Sequence, residues 1–250
     1  MNDAPPHAHP AHLALLHTSP VHVPVFDRLR DESHPGLALR HLVHEPLLDR
    51  ARAEGPDAVA ADVRALLAGA AADGARAVLC TCSTLGAVAE AQAGPAGVTV
   101  LRVDRPMAAA AVAVGPRITV VAALASTLGP TAALIEEEAV RAGRPVDVRT
   151  TLVPGAWERF EAGDRDGFLA AVAQAVDAVT GADAVVLAQA SMAGAADRAA
   201  TRLPVLASPR LGLRAAAGLA AGLVAGAEPV EGTDGGGKGV ERVEAGAEGR

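Results

Sequence analysis

The sequence predicts an α/β protein built of two pseudo-symmetric lobes, each a parallel sheet flanked by helices. Two observations carry this. Short apolar runs alternate with helix-period stretches along most of the 250 residues, which is the pattern of βαβ units. A strand-turn-helix signature, Ala77-Val78-Leu79-Cys80-Thr81-Cys82-Ser83-Thr84, also returns about a hundred residues later as Ala184-Val185-Val186-Leu187-Ala188-Gln189-Ala190-Ser191. Half the chain is hydrophobic, mostly Ala, Val and Leu, so the core is expected to be made of small aliphatic groups at close helix-to-sheet contacts.

Eight strands are predicted, over Leu13–His17, Ala38–Val43, Ala77–Cys80, Val98–Val103, Ile118–Ala123, Val146–Val153, Ala184–Leu187 and Pro204–Ala207. Each is a brief, Val-, Leu- or Ile-rich run of the kind that buries both faces of a parallel sheet. Helical spacing is read over Pro56–Ala72, where Val59, Val63, Leu66 and Leu67 share a face, and over Ser83–Glu90 and Met107–Val114. Further helices are read over Pro130–Ala142, Arg165–Val179, Met192–Ala200 and Leu211–Val224. Lobe one is assigned residues 12–106 with the last strand and helix, 204–225; lobe two is assigned 107–203. Residues 1–11 and the Gly- and charge-rich tail 226–250 lack apolar periodicity and are expected to be disordered.

Composition removes several classes of function. A formal net charge of −7 and an aromatic content of 2% give neither the basic footprint nor the stacking platforms of a nucleic-acid binder. No stretch of about 20 apolar residues runs without a charge or breaker, so no membrane association is expected. The Ala-rich run Leu211–Ala225 is interrupted by Arg214 and three glycines. Met1–His12 does not read as a secretory signal, and two cysteines one residue apart cannot staple a domain. Both points suit a reducing cytoplasm. The tail segment Gly232–Gly239 approaches a phosphate loop but lacks the hydroxyl after Lys238 and a preceding strand, and no G-x-G-x-x-G follows a strand.

Cys82 is the sharpest catalytic candidate. A thiol between a strand end and a helix start lies near backbone N–H donors and the positive helix end, which favour the thiolate. Such a thiolate takes a proton from carbon or attacks an electrophile. Ser83 and Thr84 supply a polar rim, while Cys80 falls inside the strand and reads as packing. Thr18 and Ser19 follow the first strand and reach the same sheet edge; His17 beside them is a candidate base or a hydrogen-bonded structural residue. Ser126 and Thr127 are the parallel case in lobe two, with helix capping as the competing role. Cys-x-Cys supplies two ligands where a closed zinc site needs four. All eight histidines fall within the first 44 residues, but His7, His9 and His12 suit only adventitious metal and His41 lies in a strand pattern. No metal is expected.

Together these residues resemble the aspartate/glutamate/hydantoin racemase superfamily. Cys82-Ser83-Thr84 is similar to its first active-site turn, Cys-Asn-Thr. Leu187-Ala188-Gln189-Ala190-Ser191-Met192-Ala193 is similar, position for position, to the second turn of the hydantoin-type branch, Leu-Gly-Cys-Ala-Gly-Met-Ala. The resemblance covers 13 to about 225 and implies an active site in the cleft between the lobes, a small carboxylate or amino-acid-like substrate and no cofactor. It implies that Cys82 is catalytic and that Thr18, Ser19, Ser83, Thr84, Thr127, Gln189, Ala190 and Ser191 bind substrate. It also admits a homodimer. In that chemistry one thiolate removes the α-proton and a thiol on the opposite face returns one. Gln189 stands in place of the second cysteine, and an amide cannot shuttle that proton, unless His17 substitutes for it. The sequence therefore leaves racemisation, one-sided protonation as in decarboxylation, cis–trans isomerisation through Cys82, and non-catalytic carboxylate binding. Arg105, Arg210 and Arg214 are candidate partners for a distal carboxylate.

Overall fold

The computed structural model describes residues 11–222. In chain order the elements are β1 (His12–His17), α1 (Val23–Ser33), β2 (Leu39–Val43), α2 (Pro46–Glu54), α3 (Ala60–Ala72), β3 (Ala75–Cys80), α4 (Ser83–Ala91), α5 (Ala93–Ala96) and β4 (Thr99–Arg102). The second half continues with α6 (Arg105–Val114), β5 (Arg117–Ala122), α7 (Leu128–Ala142), β6 (Asp147–Leu152), α8 (Ala156–Glu161), α9 (Arg165–Asp177), β7 (Ala184–Leu187), β8 (Val205–Ala207) and α10 (Ser208–Ala220). The strands form two four-stranded parallel sheets, ordered β2-β1-β3-β4 and β6-β5-β7-β8.

The two orders are the same pattern repeated, and that pattern positions the site. In each sheet the order reverses beside the first strand of its half, so the crossovers leave in opposite directions and a crevice opens between two adjacent strand ends. In the first sheet those ends belong to β1 and β3, paired as far as Leu16 opposite Cys80. In the second they belong to β5 and β7, paired as far as Val121 opposite Leu187. These four central strands are almost wholly buried, whereas the edge strands β2 and β6 are half-buried or exposed.

Helices cover both faces of each sheet. Val63 and Leu67 of α3 and Leu85 of α4 pack with Leu16 and Val78 on one face of the first; Phe26 and Leu29 of α1 join Leu213 and Ala216 of α10 on the other. In the second sheet α6 and α7 share one face through Met107, Leu134 and Ile135, and Phe168, Leu169 and Val172 of α9 fill the other. Small residues permit the close approaches. A Cβ on Gly86 of α4 would fall 2.8 Å from the Arg102 guanidinium nitrogen Nε, and one on Gly212 would meet the Val103 carbonyl at 2.5 Å.

All eight expected strands form, with ends shifted by one or two residues. Three other expectations change. The strand at 204–207 was placed with lobe one, but β8 pairs in parallel with β7 and so completes the second sheet, as β4 completes the first. The chain crosses to the first sheet only with α10. The helix expected over Met192–Ala200 is a 3₁₀ segment, Ala190–Ala195, because Gly194 lies within it and its carboxyl end runs into turns. The helix expected from Pro56 begins as a 3₁₀ turn, Pro56–Val59, before α3. Helices α1, α2, α5 and α8 were not read from the sequence; the first two carry Pro24 and Pro46 in their opening turn, residues suited to that place. The expected disorder at 1–11 and 226–250 and the end of the last helix at Val224 lie outside the described residues, apart from Ala11.

Candidate active site

Cys82 follows β3 and caps the N-terminus of α4 in an extended conformation, φ −101° and ψ 115°. Its carbonyl accepts the Leu85 amide at 3.2 Å, closing the first helical turn. The side chain is therefore left at the mouth of the helix, where unpaired N–H groups and the macrodipole favour negative charge. The neighbours have other tasks. Cys80 is fully buried, and loss of solvation pushes its thiol well above the ordinary cysteine range. The Ser83 hydroxyl donates to the Ala188 carbonyl at 3.0 Å, joining the two lobes beside the thiol.

Gln189 follows β7 as Cys82 follows β3, with a similar extended backbone, φ −125° and ψ 139°. Its side-chain carbonyl oxygen accepts the backbone N–H groups of Ala123 at 2.8 Å and Leu124 at 3.1 Å. That oxygen ties the β7 turn to the end of β5 and leaves the NH₂ as the free end of the amide. Thr127, on the short 3₁₀ turn after β5, donates to the Leu124 carbonyl at 2.7 Å. Ala190 and Ser191 begin the 3₁₀ segment after Gln189.

These strand ends enclose a cavity of about 70 Å³. Thr18, Ser19, Cys82, Ser83, Thr84, Thr127, Gln189, Ala190 and Ser191, the residues singled out in the sequence, all line it. His17 does not. It is fully buried behind the wall, its Nδ1 2.7 Å from the Thr81 hydroxyl and its Nε2 2.8 Å from His41. Burial first, then the neighbouring His41 and His22, hold its pKa down to about 3. A neutral imidazole with both nitrogens engaged cannot replace a thiol across the cleft. Ser126 does not line the cavity either.

The proposed arginines also lie elsewhere. Arg105 is consumed by Glu90, Glu137 and Glu138, Arg210 pairs with Glu32 at 2.9 Å, and Arg214 lines a surface depression between α1 and α10. The cation that does line the cavity is Arg52 of α2, whose guanidinium carbon sits 5.4 Å from the Trp157 ring centroid. Trp157 and Phe160 of α8, stacked with centroids 4.9 Å apart, face Leu48 and Arg52 across the mouth. Arg52 has only a distant acidic partner, Asp49 at 3.9 Å. Its donors are thus free for an incoming anion, and no carboxylate lines the cavity.

His22 and Thr81 complete the wall. Burial, and then Arg165, hold the His22 pKa down to about 4, so it is neutral at neutral pH. Sequence reasoning missed Arg52, Trp157, Phe160 and His22, which reach the cleft from crossover segments rather than strand ends. The chain's single Trp and the cluster of Trp157 with Phe160 in four residues were the available signal. Among the described residues, no group of three or more His, Cys, Asp or Glu side chains could hold a metal ion. No helix among them is long and apolar enough to cross a membrane.

Comparison with known proteins bears on this site. The profile of the Asp/Glu/hydantoin racemases matches residues 17–216. No curated protein sequence matches the chain significantly. Among solved structures, glutamate racemase of Bacillus anthracis superposes with a TM-score of 0.63 at 13% identity, over 86% of this chain and 83% of that one. A variant of arylmalonate decarboxylase gives 0.58 at 18%, over 85% and 94%. Allantoin racemase of Pseudomonas fluorescens gives 0.54 at 17%, over 92% and 100%. At these identities the superpositions establish a common fold.

Proposed function

The chain belongs to the Asp/Glu/hydantoin racemase family, and we propose that it is a cofactor-independent enzyme of that family with Cys82 as its only working thiol. The substrate is a small carboxylate, and the chemistry takes place on one face of its α-carbon. The observation that carries this reading is the asymmetry of the two matched turns. Cys82 opens a regular helix beside the cavity, whereas the side-chain oxygen of Gln189 is tied to the Ala123 and Leu124 amides.

A neutral amide neither accepts nor donates a proton near neutral pH, so of the two matched turns only that of Cys82 supplies a proton-transfer group. In the one-sided reaction, the bond from the α-carbon to a departing carboxylate breaks and its electron pair enters an enolate. The Cys82 thiol then delivers its proton to that carbon, and carbon dioxide leaves. Run as an exchange, the Cys82 thiolate removes the α-proton and returns one to the same face. Support for an anionic substrate comes from Arg52, a loosely partnered cation in a wall without carboxylates. The Ser83 and Thr84 backbone N–H groups at the start of α4 suit the negative charge that grows on the enolate. The NH₂ of Gln189 suits a carboxylate or carbonyl oxygen on the opposite side.

The test is proton NMR in deuterium oxide with wild type and Cys82→Ala, over aspartate, glutamate, substituted hydantoins, maleate and arylmalonates. The reading expects Cys82-dependent α-exchange with retained configuration, or decarboxylation to a single enantiomer. Saturable binding of these acids without turnover, unchanged in Cys82→Ala, would instead establish a carboxylate-binding protein.

A further inference from the structure

Three of the histidines meet at the wall of the cavity, His22 in it and His17 and His41 behind it, and nothing in the chemistry above uses them. His17 closes β1, His41 lies at the centre of β2, and His22 sits on the 3₁₀ turn that follows β1. The rings of His17 and His41 are nearly coplanar, 19° apart, and share the 2.8 Å hydrogen bond between Nε2 and Nδ1. The bond continues in both directions. His41 Nε2 lies 3.3 Å from the Asp27 carboxylate of α1, and His17 Nδ1 lies 2.7 Å from the Thr81 hydroxyl. Thr81 Oγ1 is in turn 3.1 Å from the Leu16 carbonyl. An unbroken chain thus runs from a half-exposed carboxylate to the residue that precedes Cys82 and lines the cavity.

Counting protons allows two arrangements of this chain. The Asp27 carboxylate only accepts, so His41 Nε2 must carry a proton. If His41 is neutral, its Nδ1 accepts, His17 must donate from Nε2, and the Thr81 hydroxyl donates to His17 Nδ1. If His41 gains a second proton, its Nδ1 donates to His17 Nε2. His17 must then carry its proton on Nδ1 and donate to Thr81, whose hydroxyl turns to the Leu16 carbonyl. The links from Asp27 to Thr81 are satisfied in both states, the Thr81–Leu16 link is made only in the second, and both bonds of His17 reverse direction.

We propose that His17 and His41 are positioning residues for the Cys82 turn: the protonation state of His41 sets, through His17, which way the hydroxyl of Thr81, the residue preceding Cys82, points. The charged and titratable groups around the chain suit a switch at His41 rather than elsewhere. Arg30 of α1 also approaches the Asp27 carboxylate, at 3.4 Å. His22 approaches His17 with ring centroids 6.2 Å apart, and Arg165 at the start of α9 opposes charge on His22. A proton at either of those two rings would be buried among cations or other histidines, whereas His41 faces a carboxylate. The relevance of the switch to turnover rests on Cys82 being the working thiol; the switch itself does not.

The test is nitrogen-15 NMR of the imidazoles through a pH titration, with wild type and Asp27→Asn, the latter checked for folding by thermal denaturation. Asparagine both donates and accepts, so His41 Nε2 no longer has to carry a proton, and the negative charge facing a protonated His41 is gone. In wild type, His17 is expected to pass from the Nε2–H to the Nδ1–H tautomer on acidification, with the midpoint of His41 protonation. In Asp27→Asn that change is expected to move to lower pH or disappear, because the carboxylate facing His41 is gone. A single His17 tautomer across the wild-type titration would overturn the proposal. Alkylation of Cys82 by iodoacetamide supplies the second readout. A step of about twofold or more in rate at the same midpoint, moved or lost with it in Asp27→Asn, supports the coupling to the thiol. Superimposable rate profiles for the two proteins would overturn that coupling. Neither readout requires a substrate, so a failure here and a failure of the proposed activity are separate results.

Discussion

The turn after β3 and the turn after β7 occupy equivalent places in two sheets of identical strand order, yet they do different things. Both begin with an extended residue at a buried strand end. After Cys82 comes a regular nine-residue helix, α4, whose N–H groups converge on the cavity. After Gln189 comes only the six-residue 3₁₀ segment, whose N-terminal field is weaker and less well aligned. The thiol is left exposed to a ligand; the Gln189 oxygen is tied down by two backbone amides. Topology fixes where a site forms, and the side chain and the helix behind it decide whether the position performs chemistry or holds a wall together.

Removing Cys82 should have the largest effect if it is the working thiol proposed above. Cys82→Ser is expected to lower kcat/KM by about 10²–10⁴-fold, the usual contribution of a positioned proton-transfer group, with little change in Tm. Altering the other member should cost folding before it costs chemistry. Gln189→Ala orphans the N–H groups of Ala123 and Leu124, at about 1–3 kcal/mol each where water does not replace the oxygen, readable by urea denaturation. Gln189→Cys is the sharper variant. If the asymmetry alone prevents two-sided proton transfer, this protein gains racemisation that wild type lacks, measured by chiral chromatography of the product.

Acid should act on the first lobe. His17 and His22 have pKa values held down to about 3 and about 4 in the folded chain, against about 6.5 in an unfolded one. Unfolding therefore takes up protons below about pH 6.5, so the stability these groups contribute is present above that pH and falls as pH drops toward 4. Each contributes a slope of about 1.4 kcal/mol per pH unit in that window, testable by denaturant titrations at pH 7 and pH 5. His17→Phe is expected to flatten the profile. The smallest effect is expected at the mouth. Arg52→Ala should raise KM about tenfold for an anionic substrate and leave kcat within a few-fold, since Arg52 binds at the rim and is remote from the proton transfer.

The strands were legible because central parallel strands are buried on both faces, as in Ala77–Cys80 and Ala184–Leu187, where an unbroken apolar run has no rival reading. The positions that follow such strands were legible for the same reason, and this led to Cys82, Gln189 and their neighbours. What the sequence hid depends on the third dimension. His17 looks like a cleft residue by position, but all of β1 is buried, so strand alternation cannot distinguish inward from cleftward. The sheet that takes β8 is set by its pairing with β7, a contact distant in sequence that no local pattern of Val205–Ala207 records. Arg52 and Trp157 lie far apart in the chain and on different lobes, and only the closed cleft brings the guanidinium over the indole.

The central claim is that one thiol serves one face of the substrate. The most direct measurement is the stereochemistry of deuterium incorporation at the α-carbon in deuterium oxide, with a substrate turned over by wild type. A single labelled enantiomer, lost entirely in Cys82→Ala, is the predicted result. Label on both faces with a racemic product, or turnover that survives Cys82→Ala, would contradict it.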